Sequence, residues 1–402
     1  METHRGATAP ARAETMHTGT LRARAQAAAA VAASHAGAVD RESRFPAESF
    51  AEIRRQGLLG ILVPKALGGE GATLADVVDV CYTLGQACAS TGMIYAMHSI
   101  KMGCITRHSR GSAEHEKILR RIASEQLLMA SSTTEGQGGG NVRASEAPVV
   151  RDGNRITLER KATVISYGAA ADGIVTTARR SADAAPSDQV LVVLLKSDYT
   201  LEPMVAWDTL GMRGTCSEGF TLRANASAEA IMPEPYERIH AQTMVPFAHL
   251  TWGSVWAGVA AAATGRAQAF IRNAARHANG QMPPGAPHFT TAVTSLRTLR
   301  SLLSAALRSY EHAMSDEKAL ASLEFQSMIT LTKVEASELA AATVMSAMRA
   351  CGLSGYRNDS EFSIGRHLRD ILSSPIMINN DRILANLAAP SLMTPLPTSI
   401  SS

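Results

Sequence analysis

Aromatic side chains are scarce in this chain of 402 residues, at 4%. That is too few for a base-stacking platform, and a formal net charge of +3 leaves neither a cationic stripe for nucleic acid nor an acidic tail. Cysteine is sparse as well. Cys81, Cys88, Cys104, Cys216 and Cys351 form an odd set without a CxxC pair, which argues against a disulfide framework or a metal site and fits a reducing cytoplasm. No run approaches the roughly 18 consecutive apolar residues of a membrane span. The nearest, 250–264, then meets Gly265, Arg266 and Gln268 and reads as a buried helix. Residues 1–20 lack the apolar centre of a secretory signal and are expected to form a disordered tail.

What the chain does have is one break in an Ala-rich, helix-favouring sequence. Within residues 129–172, four hydroxyls (Ser131, Ser132, Thr133, Thr134) lead into a loop with Gly136, Gly138, Gly139 and Gly140. Two strand-like runs follow, 147–151 and 155–159, joined by Asp152-Gly153-Asn154. Glycine there accepts the positive φ of a tight hairpin turn. A third run, 162–166, leads to a small-residue turn ending at Asp172. Hydroxyls and glycines together make a lip at which backbone N–H groups can approach a flat or phosphorylated ligand.

Helices are expected on both sides of this module. The first spans 21–36, and the next opens at Phe45-Pro46 and stops at Gly57. Others cover 74–88, a stretch starting at Ser90-Thr91 that carries Tyr95 and His98, and 112–128. Further strands are expected at 173–178, 189–195, 219–222 and 229–231, closed by Pro233 and Pro235. Helices resume near Val245, break at 280–285, and continue at 289–314, 319–350, 363–373 and 379–388. The chain thus divides into a tail (1–20), an α-helical N-terminal domain (21–128), a β middle domain (129–240), an α-helical bundle (241–392) and a second tail (393–402). The fold class is mostly α with a central β-barrel-like domain.

Six groups of residues stand in a telling order: Gly57-Leu58-Leu59-Gly60 to Pro64 with Gly68-Gly69-Glu70-Gly71-Ala72-Thr73; Ala87-Cys88-Ala89-Ser90-Thr91 to Tyr95 and His98; Thr134-Glu135; Ile165-Ser166-Tyr167-Gly168 to Ala171-Asp172; Leu210-Gly211-Met212-Arg213-Gly214-Thr215; and Gly352 to Gly355-Tyr356 with Arg366 to Arg369-Asp370. Together they resemble the acyl-CoA dehydrogenase superfamily of flavoproteins over nearly the whole chain. The resemblance implies that family's three domains, the last a four-helix bundle, and FAD between the β module and the bundle. Ser131, Ser132, Thr133, Thr134, Gly139 and Gly140 would meet the pyrimidine edge, and Val164, Ile165 and Ser166 the dimethylbenzene side. Arg276, Arg349 and Gly352 would meet the adenine-pyrophosphate half of a neighbouring subunit's cofactor, and Asn380 falls where the family has a flavin contact. A homodimer or homotetramer follows, with Gly140 and Arg213 near an acyl thioester on coenzyme A or a carrier protein. An electron-accepting flavoprotein is the implied partner.

The departures bear on chemistry. The family's catalytic glutamate falls at Ile378 and its Gly-Thr at Asn379-Asn380; isoleucine cannot take a proton. Removing the weakly acidic α-proton of a thioester needs a positioned base. His277 occupies a slot where some members place that base, Asp381 lies three residues past the vacant position, and His98 is either a packed core histidine or an active-site group. Arg213 either caps strands or works near flavin or substrate. The leading expectation is an FAD-dependent desaturation of an acyl thioester. The alternatives are a monooxygenase of the same fold that takes reduced flavin from a partner reductase, and a non-catalytic member. The resemblance implies a histidine near the vacant position in such monooxygenases, and its lack in 373–378 counts against that class, although His98 is compatible with it.

Overall fold

The computed structural model describes residues 19–135 and 144–393. All but the end of the expected N-terminal tail, and the lip glycines Gly139 and Gly140, lie outside the described residues.

Five helices open the chain: α1 (Leu21–Glu42), α2 (Ala47–Arg55), α3 (Leu74–Ala87), α4 (Ala89–His108) and α5 (Ala113–Glu125). The Thr20 side chain caps α1 by accepting from Ala23 N–H at 3.2 Å. A reciprocal box between Thr73 and Asp76 starts α3, so two otherwise orphaned N–H groups are satisfied before the helix begins. α4 is buried along most of its length; it is the floor on which the β module and the later helices rest.

The middle module holds β1 (Met129–Ser132), β2 (Val150–Asp152), β3 (Arg155–Ala162), β4 (Gly173–Arg179), β5 (Gln189–Leu195), β6 (Tyr199–Val205) and β7 (Gly219–Ser227). It is not a closed barrel. A three-stranded sheet, β1-β4-β5, lies beside a four-stranded one, β2-β3-β7-β6. β1 pairs parallel to β4, with Ser132 opposite Thr176. The hairpin forms as expected, Asp152 opposite Arg155 with Gly153 at φ 54. β3 alternates exposed and buried along its whole length, as a half-buried strand should. The run 162–166 leaves its sheet after Ala162, because Ile165 N–H goes to Glu218 O and Tyr167 N–H to Thr215 O, each at 2.8 Å. Residues 229–231 are no strand either: a 3-10 turn ends there, and Ile231 makes only an isolated bridge to Val192.

A short helix, α6 (Tyr236–Ile239), runs through a π-helical turn (His240–Met244) into α7 (Val245–His277). Then come α8 (Ala286–Ala313), α9 (Glu317–Ala321), α10 (Leu323–Cys351), α11 (Leu353–Tyr356), α12 (Gly365–Ile371) and α13 (Asn380–Met393). α7 packs against α3, α8 and α10. Its crossing with α3 requires glycine, since a β-carbon at Gly258 would strike the carbonyl of Tyr82 and one at Gly85 the carbonyl of Val255. Among the described residues no helix is long and apolar enough to cross a membrane.

Candidate functional site

The turn after β3 is fastened to the start of β1, the strand that ends in the hydroxyl-rich run. Tyr167, held at φ 46, donates its hydroxyl to Met129 O at 2.9 Å and so ties that turn to β1. Ser131, Thr133 and Thr134 are half-buried, whereas Ser132 is fully buried and its Oγ has no partner among the described residues. Val164 stays 37% exposed next to the buried Ile165. A chain of hydroxyls leads inward from there: Ser166 Oγ to Ser217 Oγ at 2.8 Å, Ser217 Oγ to Thr215 Oγ1 at 2.8 Å, and Thr215 Oγ1 donating to Met212 O at 2.8 Å.

Glu135 anchors the chain on both sides of residues 136–143. Its carboxylate accepts from Ser145 Oγ (3.2 Å) and Glu146 N–H (2.6 Å) and pairs with the buried Arg160 at 3.1 Å. The loop 210–215 joins all three regions. Met212 N–H donates to Asp370 Oδ1 at 2.7 Å, and Arg213 donates to Asp40 O at 2.8 Å and Thr209 O at 3.1 Å. Arg369 forms an ion pair with Asp40 and donates to Leu210 O. Burial raises the Asp370 carboxyl to about 6 even though Met212 N–H favours its ionised form.

The position expected to hold a glutamate is built in an unusual way. Ile378 (φ 56) and Asn379 (φ 52) are consecutive left-handed residues, a conformation that costs a β-branched side chain most. The surroundings hold them there. Lys333, fully buried, donates to Ser374 O at 3.1 Å and to Asn380 Oδ1 at 2.6 Å. Asn380 in turn donates to Ser337 Oγ at 2.9 Å and Glu338 Oε1 at 2.7 Å, so both ends of its amide are spent on the protein. Burial pulls the Lys333 ammonium down to about 8. Sequence reading passed Lys333 over; the signal was a lone lysine inside an otherwise apolar helical face.

The three candidate bases lie in quite different surroundings. His98 is buried with both ring nitrogens occupied: Nε2 lies 2.9 Å from Leu59 O, and Nδ1 accepts from Met129 N–H at 3.0 Å. That fixes the neutral tautomer with the proton on Nε2, and burial lowers its pKa to about 4. His277 is exposed at the end of α7, its Nδ1 2.8 Å from Asn273 O. Asp381 is exposed in the first turn of α13. The structure does not bring these three together. Arg276 and Arg349 are exposed, and Gly352 turns at φ 53, ψ −136 with open space where a β-carbon would stand. Leu353 and Tyr356 beyond it are 71% and 75% exposed.

Profiles of two domains match the chain: acyl-CoA dehydrogenase, N-terminal domain, over residues 17–126, and acyl-CoA dehydrogenase, C-terminal domain, over residues 242–393. Cyclohex-1-ene-1-carbonyl-CoA dehydrogenase of Geobacter metallireducens is 26% identical over 369 residues, 89% of this chain and 92% of that protein. Among solved structures, FMN-bound TdsC of Paenibacillus sp. A11-2 superposes with a TM-score of 0.82 at 17% identity, over 95% of this chain and 100% of that one. Nitrososynthase of Micromonospora carbonacea var. africana does so with a TM-score of 0.79 at 22% identity, over 93% and 96%. With helical domains before and after a two-sheet module, and both profiles in register with them, the chain belongs to the acyl-CoA dehydrogenase superfamily.

Proposed function

We propose that this protein is a flavin-dependent oxidoreductase that oxygenates a small substrate with reduced flavin drawn from a partner reductase, instead of desaturating an acyl thioester. The observation that carries this reading is that, among the described residues, none of the three candidate bases stands ready beside Ile378. The glutamate position is aliphatic, His98 is locked neutral between two backbone groups, and His277 and Asp381 face solvent. Residues 136–143, outside the described residues, contain no carboxylate or imidazole by sequence. Oxygenation by a reduced flavin does not begin with removal of a substrate α-proton, so it does not require a carboxylate at that position.

The residues present fit a flavin. The exposed Val164 offers apolar surface to a planar ring, and Ser131, Thr133 and Thr134 place polar groups along the adjoining edge. Val164, Ile165 and Ser166 would hold one side of the ring. Arg276, Arg349 and the open turn at Gly352 would receive the phosphate half of a cofactor from a second subunit, which makes the working unit at least a dimer. A bound reduced flavin supplies the electrons that activate dioxygen. The chain would contribute an apolar side chain at Ile378, and the hydroxyl series, donating from Ser166 to Ser217 to Thr215 to Met212 O, leaves Ser166 Oγ able to accept a hydrogen bond. TdsC is a dibenzothiophene monooxygenase, and the nitrososynthase shares the same fold, which supports this reading.

Desaturation remains the second reading because the relative from Geobacter metallireducens is a dehydrogenase; it would need His277 as base. Anaerobic addition of butyryl-CoA or octanoyl-CoA to the flavin-loaded protein tests both. No bleaching of the flavin absorbance is expected, whereas air oxidation of reduced FAD or FMN should change in rate when the protein is added. Rapid anaerobic bleaching that His277→Ala abolishes would overturn the proposal.

A further inference from the structure

One turn beyond His98 on α4, Lys101 is 2% exposed. The acceptor within reach of its ammonium is the thioether of Met244, at 3.6 Å. No oxygen serves it among the described residues. The Tyr236 hydroxyl reaches the same sulfur, also at 3.6 Å, so ammonium and phenol converge on one atom at the end of the π-helical turn. Arg160, 1% exposed, comes in from β3. Its Nη1 is fully used, on Glu135 Oε1 at 3.1 Å, Ser145 Oγ at 3.3 Å and Thr177 O. Its Nε and Nη2 have no partner among the described residues. Those two N–H groups are the parallel side-on edge of a guanidinium, the pair that matches the two oxygens of a carboxylate.

Charge leads to the same ligand. Lys101 and Arg160 bring two positive charges into a dry interior, and Glu135 supplies one negative charge. The two cations sense one another, and Arg160 and Tyr236 do too. A buried charge with neither partner nor oxygen acceptor is costly, so the interior is short of one monoanion.

We propose that Lys101, Arg160 and the Tyr236 hydroxyl form a buried site for a carboxylate, between α4, β3 and α6. Arg160 holds both oxygens through Nε and Nη2, and Lys101 and Tyr236 donate to the same group. Two sources share that chemistry: a small free carboxylate, or one borne on the apolar chain of a larger ligand. The site stands whether or not the flavin reading does, because its test reads binding alone.

The test is a titration of the full chain with sodium formate and, separately, with sodium octanoate, each against sodium chloride at equal ionic strength. Melting temperature and calorimetric heat are the readouts. Binding in the wild type that weakens about tenfold or more in Lys101→Met supports the site, that being the loss expected for one charge-assisted bond. A response to formate identifies a free carboxylate, and a response to octanoate alone identifies a chain-borne one. Lys101→Arg should retain binding. No carboxylate response beyond chloride in the wild type overturns the proposal without any variant having to fold. Equal responses in wild type and Lys101→Met overturn it too.

Discussion

Two lysines are fully enclosed by this protein, and they are treated in opposite ways. Lys333 is gripped by two oxygens, Ser374 O and Asn380 Oδ1, and lies over the Trp256 ring at 5.7 Å. Lys101 has a sulfur. Burial brings both ammonium groups to about 8, so both still carry their charge at neutral pH. Titration alone would not separate them; partners do. A cation held by oxygens inside the protein is part of the scaffold, and one with no oxygen acceptor is positioned for something that arrives from outside.

The difference should show most clearly in the sign of two substitutions. Lys333→Met leaves Asn380 Oδ1 and Ser374 O buried without their donor and loosens the left-handed pair at 378–379. A loss of about 3 kcal/mol is expected. Lys101→Met removes an unneutralised charge and replaces it with a flexible apolar chain of similar length. In carboxylate-free buffer it should be neutral or stabilising by about 1–3 kcal/mol. Urea midpoints of the two variants at pH 7 measure this, and losses of equal size would erase the distinction.

Much of the fold could be read before the structure was seen, because periodicity and turn chemistry are local. The apolar period of 74–88, Asp152-Gly153-Asn154 between alternating runs, and the break at 280–285 each act within a few residues. Where the reading failed, distant partners decided. The run 162–166 looks like a strand, but past Ala162 its Ile165 bonds to Glu218, and Tyr167 just beyond it to Thr215 and Cys216, instead of a sheet neighbour. His98 could be found and not assigned, since nothing near it in sequence says that Leu59 O and Met129 N–H will take both its nitrogens. Lys101 and Lys333 look alike on paper, each a charge among apolar helical neighbours. Only the segments packed against them, Met244 in one case and Ser374 with Asn380 in the other, make one a ligand-seeking group and the other a brace.

His98 sharpens the comparison from the side of pH, because its partners are complete yet demand a neutral ring. The unfolded imidazole takes up a proton near 6.5 and the folded one near 4, so between those values only the unfolded chain is protonated. The stability this group contributes is therefore whole above about 6.5 and is lost as pH falls toward 4. Between pH 7 and pH 5 the loss is about 2 kcal/mol. His108, His249 and His367 are displaced in the same direction by burial, so the whole protein should weaken in that window. His98→Gln keeps a donor and an acceptor but cannot titrate. It should start about 1–2 kcal/mol less stable at pH 7, and its deficit should close by about 2 kcal/mol at pH 5. A deficit that stays constant with pH would mean that His98 is not held neutral.

The smallest effect belongs to Arg213, a cation with partners but only half-buried. Its guanidinium donates to Asp40 O and Thr209 O, fastening the loop 210–215 to the end of α1. Those bonds resemble the ones Lys333 makes; what differs is that water can reach the acceptors once the side chain is gone. Arg213→Met should accordingly cost about 1 kcal/mol or less, because exchange with solvent hydrogen bonds offsets most of the loss. The same loop is still held by Met212 N–H on Asp370 and by Arg369 on Leu210 O. Denaturation of this variant beside Lys333→Met isolates burial from partner count, since each loses two hydrogen bonds to oxygen. Equal losses would show that partner count sets the cost and that burial adds nothing, which would also remove the reason for expecting an anion beside Lys101.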